Sequence, residues 1–438
     1  MPLPREITQL SLVSGWLHGL LIAGALLALA GLLLVRRDRV WWTRRVPLAL
    51  PIAAGALAVV WLVVNHYKSW PDGFPRSVVL WAGTGLLGLT LLALGWRGRR
   101  WWVRMLAAAA AALLLLGAAD GIDTVYGAYP TVSTALQLPP YDAVAGTAVL
   151  PPPSAPAPPP MSGPLWRSWH RTAGLPGHGV VFEATIPPTR SGFSARGAWV
   201  YVPPAYLTPS RPALPLLLMI GGQPGGPRDW LDGGHLAERM DAWAASHAGL
   251  APIVVMPDAL GGETANRLCM DSALGRADTY LAQDVTAWAT HTLRVDPNHA
   301  HWAVGGFSYG GTCALQLAVA HPALFPTFLD FSGQQSPTLG SRAGTVAATF
   351  GGNAAAFAAV DPLHELRQHR YPGSAGYFAV GNEDRTYGPE QRTVVAAARA
   401  AGMTTAVHVL PGGHSWRVWR AALGQAIPWV GVRTGLSP

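Results

Sequence analysis

Two shortages mark this chain. Only 12% of its 438 residues are charged and only two are cysteines, Cys269 and Cys313. The second shortage excludes a disulfide framework, since at most one bridge can form, and sequence spacing leaves one bridge or two buried thiols equally open. The first, with a mean hydropathy of +0.24, makes an ordinary water-soluble globule a poor fit and directs attention to membrane segments. No internal repeat is visible.

From Leu12 to Val35 the chain carries no carboxylate, Lys or Arg, a stretch long enough to cross roughly 30 Å of hydrocarbon at 1.5 Å per residue. Three further apolar runs follow, at Val46 to Val64, Val78 to Trp96 and Met105 to Ala119, with Asp120 marking the end of the last. Four transmembrane helices are expected. Charge inside them is nearly absent, His18 excepted, which disfavours a transport path. The run 36–45 carries five Arg and the run 97–104 carries four, whereas the intervening loop has Lys68 and Arg76 against Asp72. Basic loops stay cytoplasmic, so the N-terminus and everything after about residue 120 are expected outside. Tryptophans 41, 42, 101 and 102 suit the interface. A cleavable signal peptide fits the first run less well than an uncleaved anchor.

The net charge of +8 therefore resides largely in two short loops facing anionic lipid, and a nucleic-acid partner is not expected. The expected organisation is a four-helix anchor over 1–120, a Pro-rich extracytoplasmic linker over 121–164 whose densest part is Leu138 to Pro164, and a catalytic domain over 165–438.

That last region alternates apolar runs with helical patterns. The runs 179–187 and 197–206 read as antiparallel edge strands, the second ended by Pro203 and Pro204. Runs at 214–220, 252–257, 301–306, 327–333, 376–381 and 405–410 read as buried strands. Strands alternating with helices predict a mainly parallel sheet covered on both faces, with its site beyond the carboxyl ends of the strands. The segment 333–375 reads either as a lid or as a passive connection.

Ser308 sits in "GGFSYGG". Twenty serines and 50 glycines supply roughly a quarter of a G-x-S-x-G match by chance, so the motif needs its context. An apolar strand run precedes it and a helix pattern follows, the setting of a nucleophile elbow. A serine hydroxyl requires a base, and the base an orienting acid. His414, in a glycine loop after the last strand, is the preferred base over His364, His369 and the strand residue His408. Asp384, just past the strand "GYFAVG", is the preferred acid, with Glu383 and Glu390 as alternatives. Backbone N–H groups of Tyr309 and of Gly222, in the loop "MIGGQPGGPRDW", are expected to face an oxyanion.

The segments "VYVPPAY", "LLLMIGG" with "DW" soon after, "PIVVMPDA", "GGFSYGGTCALQLAVAHPALFP", a strand ending in "SG", and "GGHSWRVW" occur in an order that resembles the esterase D family, which includes the antigen 85 mycolyltransferases and feruloyl esterases. The similarity spans roughly residues 179 to 430. It implies an α/β-hydrolase fold, a triad of Ser308, Asp384 or a nearby Glu, and His414, and neither metal nor cofactor. The mycolyltransferases lack a four-helix anchor and use a glutamate acid, so their substrate is not carried over. The expectation is a multi-pass cell-membrane serine esterase whose partners are the bilayer and a membrane-lipid or envelope ester. Membrane-anchored members of the family that hydrolyse alanyl-phosphatidylglycerol make aminoacyl-phosphatidylglycerol the first substrate to consider. A mycolyltransferase-like acyltransferase and a catalytically inactive envelope-binding module are the alternatives.

Overall fold

The computed structural model describes residues 5–34, 36, 38–66, 74–136, 138, 143–150 and 163–438. Arg37, Lys68, Asp72 and most of the Pro-rich segment 138–164 lie outside the described residues. The chain divides into two compact units, Met1–Pro140 and Tyr141–Pro438.

In the first unit, four helices are long and apolar enough to cross a membrane: α1 (Gly15–Leu34), α2 (Val46–His66, continuing a helical span that starts at Trp41), α3 (Arg76–Gly95) and α4 (Trp101–Tyr126). Their inward face is made of small residues and leucines. A methyl at Gly117 would overlap Ala25 of α1, and one at Gly88 would overlap Leu114 of α4, the close backbone approach by which helices associate in lipid. Large apolar side chains point outward, Leu27 at 74% and Leu80 at 71% exposure, a surface matched to hydrocarbon and not to water. α4 runs on past Asp120 and stops at Gly127, which takes φ 63°, the usual left-handed helix terminator. His18 lies in the first turn of α1, and its Nδ1 meets Asp120 Oδ2 of α4 at 2.6 Å.

The second unit is an α/β-hydrolase fold, with one eight-stranded sheet between helices. Its strands are β1 (Val180–Ala184), β2 (Ala198–Val202), β3 (Leu216–Ile220), β4 (Ile253–Met256), β5 (Ala303–Phe307), β6 (Thr327–Phe331), β7 (Ala375–Gly381) and β8 (Thr404–Leu410). They lie in the order β1-β2-β4-β3-β5-β6-β7-β8. β1 and β2 are antiparallel to their neighbours, and the six strands from β4 to β8 are parallel. The "LLLMI" of β3 is buried along its whole length because helices cover both faces. Leu216, Leu218 and Ile220 join one core, while Leu217 and Met219 join the other, the alternation a pleated strand imposes.

Three helices frame the carboxyl edge of this sheet: α5 (Tyr309–Ala320), α6 (Tyr387–Ala400) and α7 (Trp416–Arg433). The segment between β6 and β7 is not bare loop. It contains the short helices Arg342–Phe350, Ala354–Ala358 and Pro362–Gln368.

Cys269 and Cys313 form a disulfide with Cα atoms 5.4 Å apart, joining the loop after β4 to α5 across 44 residues. Closing a loop of that length removes unfolded-state entropy equivalent to roughly 4 kcal/mol. Replacing both cysteines by serine, or reducing the bridge, should lower the apparent Tm of the detergent-solubilised chain by about 10 °C. An unchanged melting curve would show that the bridge contributes nothing to the folded state's advantage.

Candidate active site

All the expected site residues lie at the carboxyl ends of parallel strands. Gly222 follows β3, Ser308 follows β5, Asp384 follows β7 and His414 follows β8. Side chains leaving neighbouring strands at one edge of a twisted sheet converge there, which is why open α/β sheets place sites at that edge.

Ser308 occupies φ 54°, ψ −120° at the junction of β5 and α5, a conformation an L-residue adopts at a cost of about 1–3 kcal/mol. The turn is imposed by contact. A methyl on Gly306 would sit 2.2 Å from the Gly310 carbonyl, and one on Gly310 would sit 2.2 Å from the Ile220 carbonyl. Only glycine fits either position, and α5 therefore packs directly against β3. The Ser308 N–H donates to the Phe331 carbonyl at 2.8 Å, fixing the turn from the β6 side.

His414 Nε2 lies 2.9 Å from Ser308 Oγ, and His414 Nδ1 lies 2.9 Å from Asp384 Oδ2. Asp384 is 4% exposed, and its other oxygen accepts the Tyr387 N–H at 2.9 Å. Of the three acids considered, Asp384 is the one brought to the imidazole. Glu383 is exposed to solvent, and Glu390 accepts the Gln335 N–H at 2.8 Å. Of the other histidines, His408 stacks on Tyr377 and His369 pairs with Glu365 at 3.3 Å. The ring of His414 is held by Tyr387 stacked at 4.2 Å and by the edge of Trp419 at 4.8 Å.

Gly222 lies past the last ladder bond of β3, and Tyr309 is the first residue of α5, whose N–H has no intrahelical acceptor. A methyl at Gly222 would overlap the Phe307 ring, so the backbone there passes close to the elbow.

Several supports have no signature in the sequence. The Tyr309 phenol donates to the Ala259 carbonyl and accepts the Cys269 N–H, both at 3.1 Å. This pins the residue that follows the serine, and the disulfide holds the same loop. The loop 221–226 is braced on several sides. Arg196 makes a two-pronged pair with Asp258 at 2.8 and 2.9 Å and donates to the Gly225 carbonyl, the Trp230 indole N–H donates to the Ile220 carbonyl, and Asp229 Oδ2 accepts the Gly226 N–H. Burial pushes the Asp229 carboxyl up to about 7. Asp330, at the end of β6, accepts the Gly333 N–H at 2.9 Å, and burial likewise pushes it up to about 7. The "DW" pair is visible in the sequence, but nothing in its spacing marks the aspartate as buried. Among the described residues no group of three or more His, Cys, Asp or Glu is arranged to hold a metal ion.

A serine hydroxyl 2.9 Å from an imidazole at the carboxyl edge of this sheet fits the class that the comparisons show, a serine ester hydrolase of α/β-hydrolase fold. The family model described as "Putative esterase" matches residues 194–430. A Corynebacterium glutamicum protein described as uncharacterized is 34% identical, the alignment covering 99% of each chain. A ferulic acid esterase of known structure superposes with a TM-score of 0.51 at 21% identity, over 58% of this chain and 98% of its own, a likeness of fold. The chain belongs to the putative esterase family.

The two raised carboxyls carry a pH consequence. Between about pH 4 and 7 the unfolded chain releases the Asp229 and Asp330 protons while the native state retains them. Their contribution to stability is thus complete below pH 4 and is lost as pH rises through 7. Asp330→Asn, which keeps an acceptor for Gly333, should raise the Tm at pH 8 relative to the parent and leave it nearly unchanged at pH 4. Equal shifts at both pH values would contradict a buried, protonated Asp330.

Proposed function

We propose that this protein is a membrane-anchored serine esterase that cleaves a cell-envelope or lipid ester outside the cytoplasm through Ser308, His414 and Asp384. The observation that carries the reading is the continuous chain from Ser308 Oγ to His414 Nε2 and from His414 Nδ1 to Asp384, with both contacts at 2.9 Å. His414 takes the hydroxyl proton as Ser308 attacks the ester carbonyl, and the amides of Gly222 and Tyr309 hold the oxyanion. His414 then protonates the leaving alcohol, and water, activated by the same imidazole, releases the acyl group. Asp384 fixes the tautomer and stabilises the imidazolium.

Residues 1–120 are the anchor in this reading, 121–164 the spacer and 165–438 the esterase. The Arg-rich runs 36–45 and 97–104 favour an outside location for the esterase. The disulfide favours it too, because such bonds persist in oxidising compartments. A site tethered to a bilayer meets lipid esters first, and aminoacyl-phosphatidylglycerol is the first candidate.

Fluorophosphonate labelling of the purified chain should be strong and should vanish in Ser308→Ala. Asp384→Asn should lower kcat by about four orders of magnitude, while Glu383→Gln stays within a few fold. Labelling that survives in Ser308→Ala would remove the nucleophile assignment. Cells lacking the protein should accumulate aminoacyl-phosphatidylglycerol, and unchanged levels would remove that substrate. A reporter fused after residue 165 that is active only in the cytoplasm would reverse the topology.

A further inference from the structure

β8 is the last strand of the sheet, and one of its faces is incompletely covered. Val407 and Val409 are 42% and 64% exposed, although they pair in register with Phe378 and Val380 of β7, which are buried, Phe378 in one core with Val394 and Val395 of α6. Between α6 and the strands β7 and β8 lies a cavity of about 350 Å³, within the range of small-ligand sites.

Its wall toward the sheet is mainly apolar, with Phe378, Val380, Val407 and Val409 beside Asn382 and His408, while α6 contributes Val395 with Arg392 and Arg399. The two arginines are seven residues apart, so they share one face of the helix about 10 Å from each other. Arg399 Nε donates to Thr405 Oγ1 at 2.9 Å, and neither guanidinium has a carboxylate partner among the described residues. The one carboxylate lining the cavity, Asp384, already has one oxygen on the Tyr387 N–H and the other on His414. An apolar trough with two cations and no free anion matches an amphiphile bearing negative charge.

We infer that this groove binds an anionic phospholipid, with an acyl chain along Phe378, Val380, Val407 and Val409 and the phosphate between Arg392 and Arg399. Free inorganic phosphate would leave the valines bare. A second copy pairing edge to edge through β8 would bring the arginine-bearing faces of two α6 helices together, cation against cation. An anionic lipid satisfies the apolar wall and the arginines at once. The inference does not depend on which ester Ser308 cleaves, because the groove lies behind Asp384 and Ser308 does not line it.

The full-length Ser308→Ala chain, which cannot consume the probe, is placed in phosphatidylcholine nanodiscs with a trace of phosphatidylglycerol carrying a diazirine in its acyl chain. After irradiation and digestion, label is expected in peptides covering 375–410 as well as in the four apolar helices. Adding Arg392→Glu and Arg399→Glu should reduce the label in 375–410 about 25-fold relative to the helices, fivefold for each cation removed. The same pair of substitutions in the Ser308-containing chain should leave turnover of a water-soluble ester intact, which verifies the fold. If that variant does not fold, the map from the unsubstituted arginines decides alone. Label confined to the helices, or equal label in 375–410 from a phosphatidylcholine probe, would overturn the inference. So would cross-links joining two chains through β8.

Discussion

The constraint on which the esterase unit turns is the close approach of α5 to β3. Gly310 lies so near the Ile220 carbonyl that no side chain fits between them. Everything the site needs depends on that contact. It forces the chain to turn sharply as it leaves β5, and it puts Ser308 in a backbone conformation ordinary residues avoid. The energy stored in the turn is offset by the burial of β5 and α5 in the two cores on either side of the sheet.

Around this rigid centre the remaining groups are held by redundant supports. The imidazole is fixed by Asp384 at one nitrogen and by the rings of Tyr387 and Trp419 on its flanks. The loop after β3 is braced by Arg196, Asp229 and Trp230, which come from different parts of the chain. An imidazole held in one orientation suits proton transfer, which needs its partners in place without reorganisation.

The sequence is informative where local chemistry decides structure. Buried parallel strands read as unbroken apolar runs, and the β3 stretch "LLLMI" is one of them. The elbow shows itself through glycines that no other residue can replace, and His414 through its glycine loop after the last strand. What the sequence conceals depends on contacts between distant segments. A separation of 44 residues says nothing about whether Cys269 can reach Cys313. The Tyr309 phenol looks like any aromatic side chain until the loop from Ala259 to Cys269 is folded over it. The choice among Glu383, Asp384 and Glu390 turns on how the backbone is directed after β7, which spacing does not encode. The end of α4 is legible at Gly127, a left-handed terminator, and not at Asp120, whose charge is met by His18 and does not stop the helix.

The bridge between Cys269 and Cys313 has a consequence for the history of each molecule. It clasps the loop that grips Tyr309, so the residue directly after the serine is braced by a bond that a reducing cytoplasm would keep open. A chain with reduced cysteines keeps every residue of the site but loses this covalent hold on the loop that grips Tyr309. The bridge therefore bears on the surroundings of Ser308 and not only on the stability of the fold.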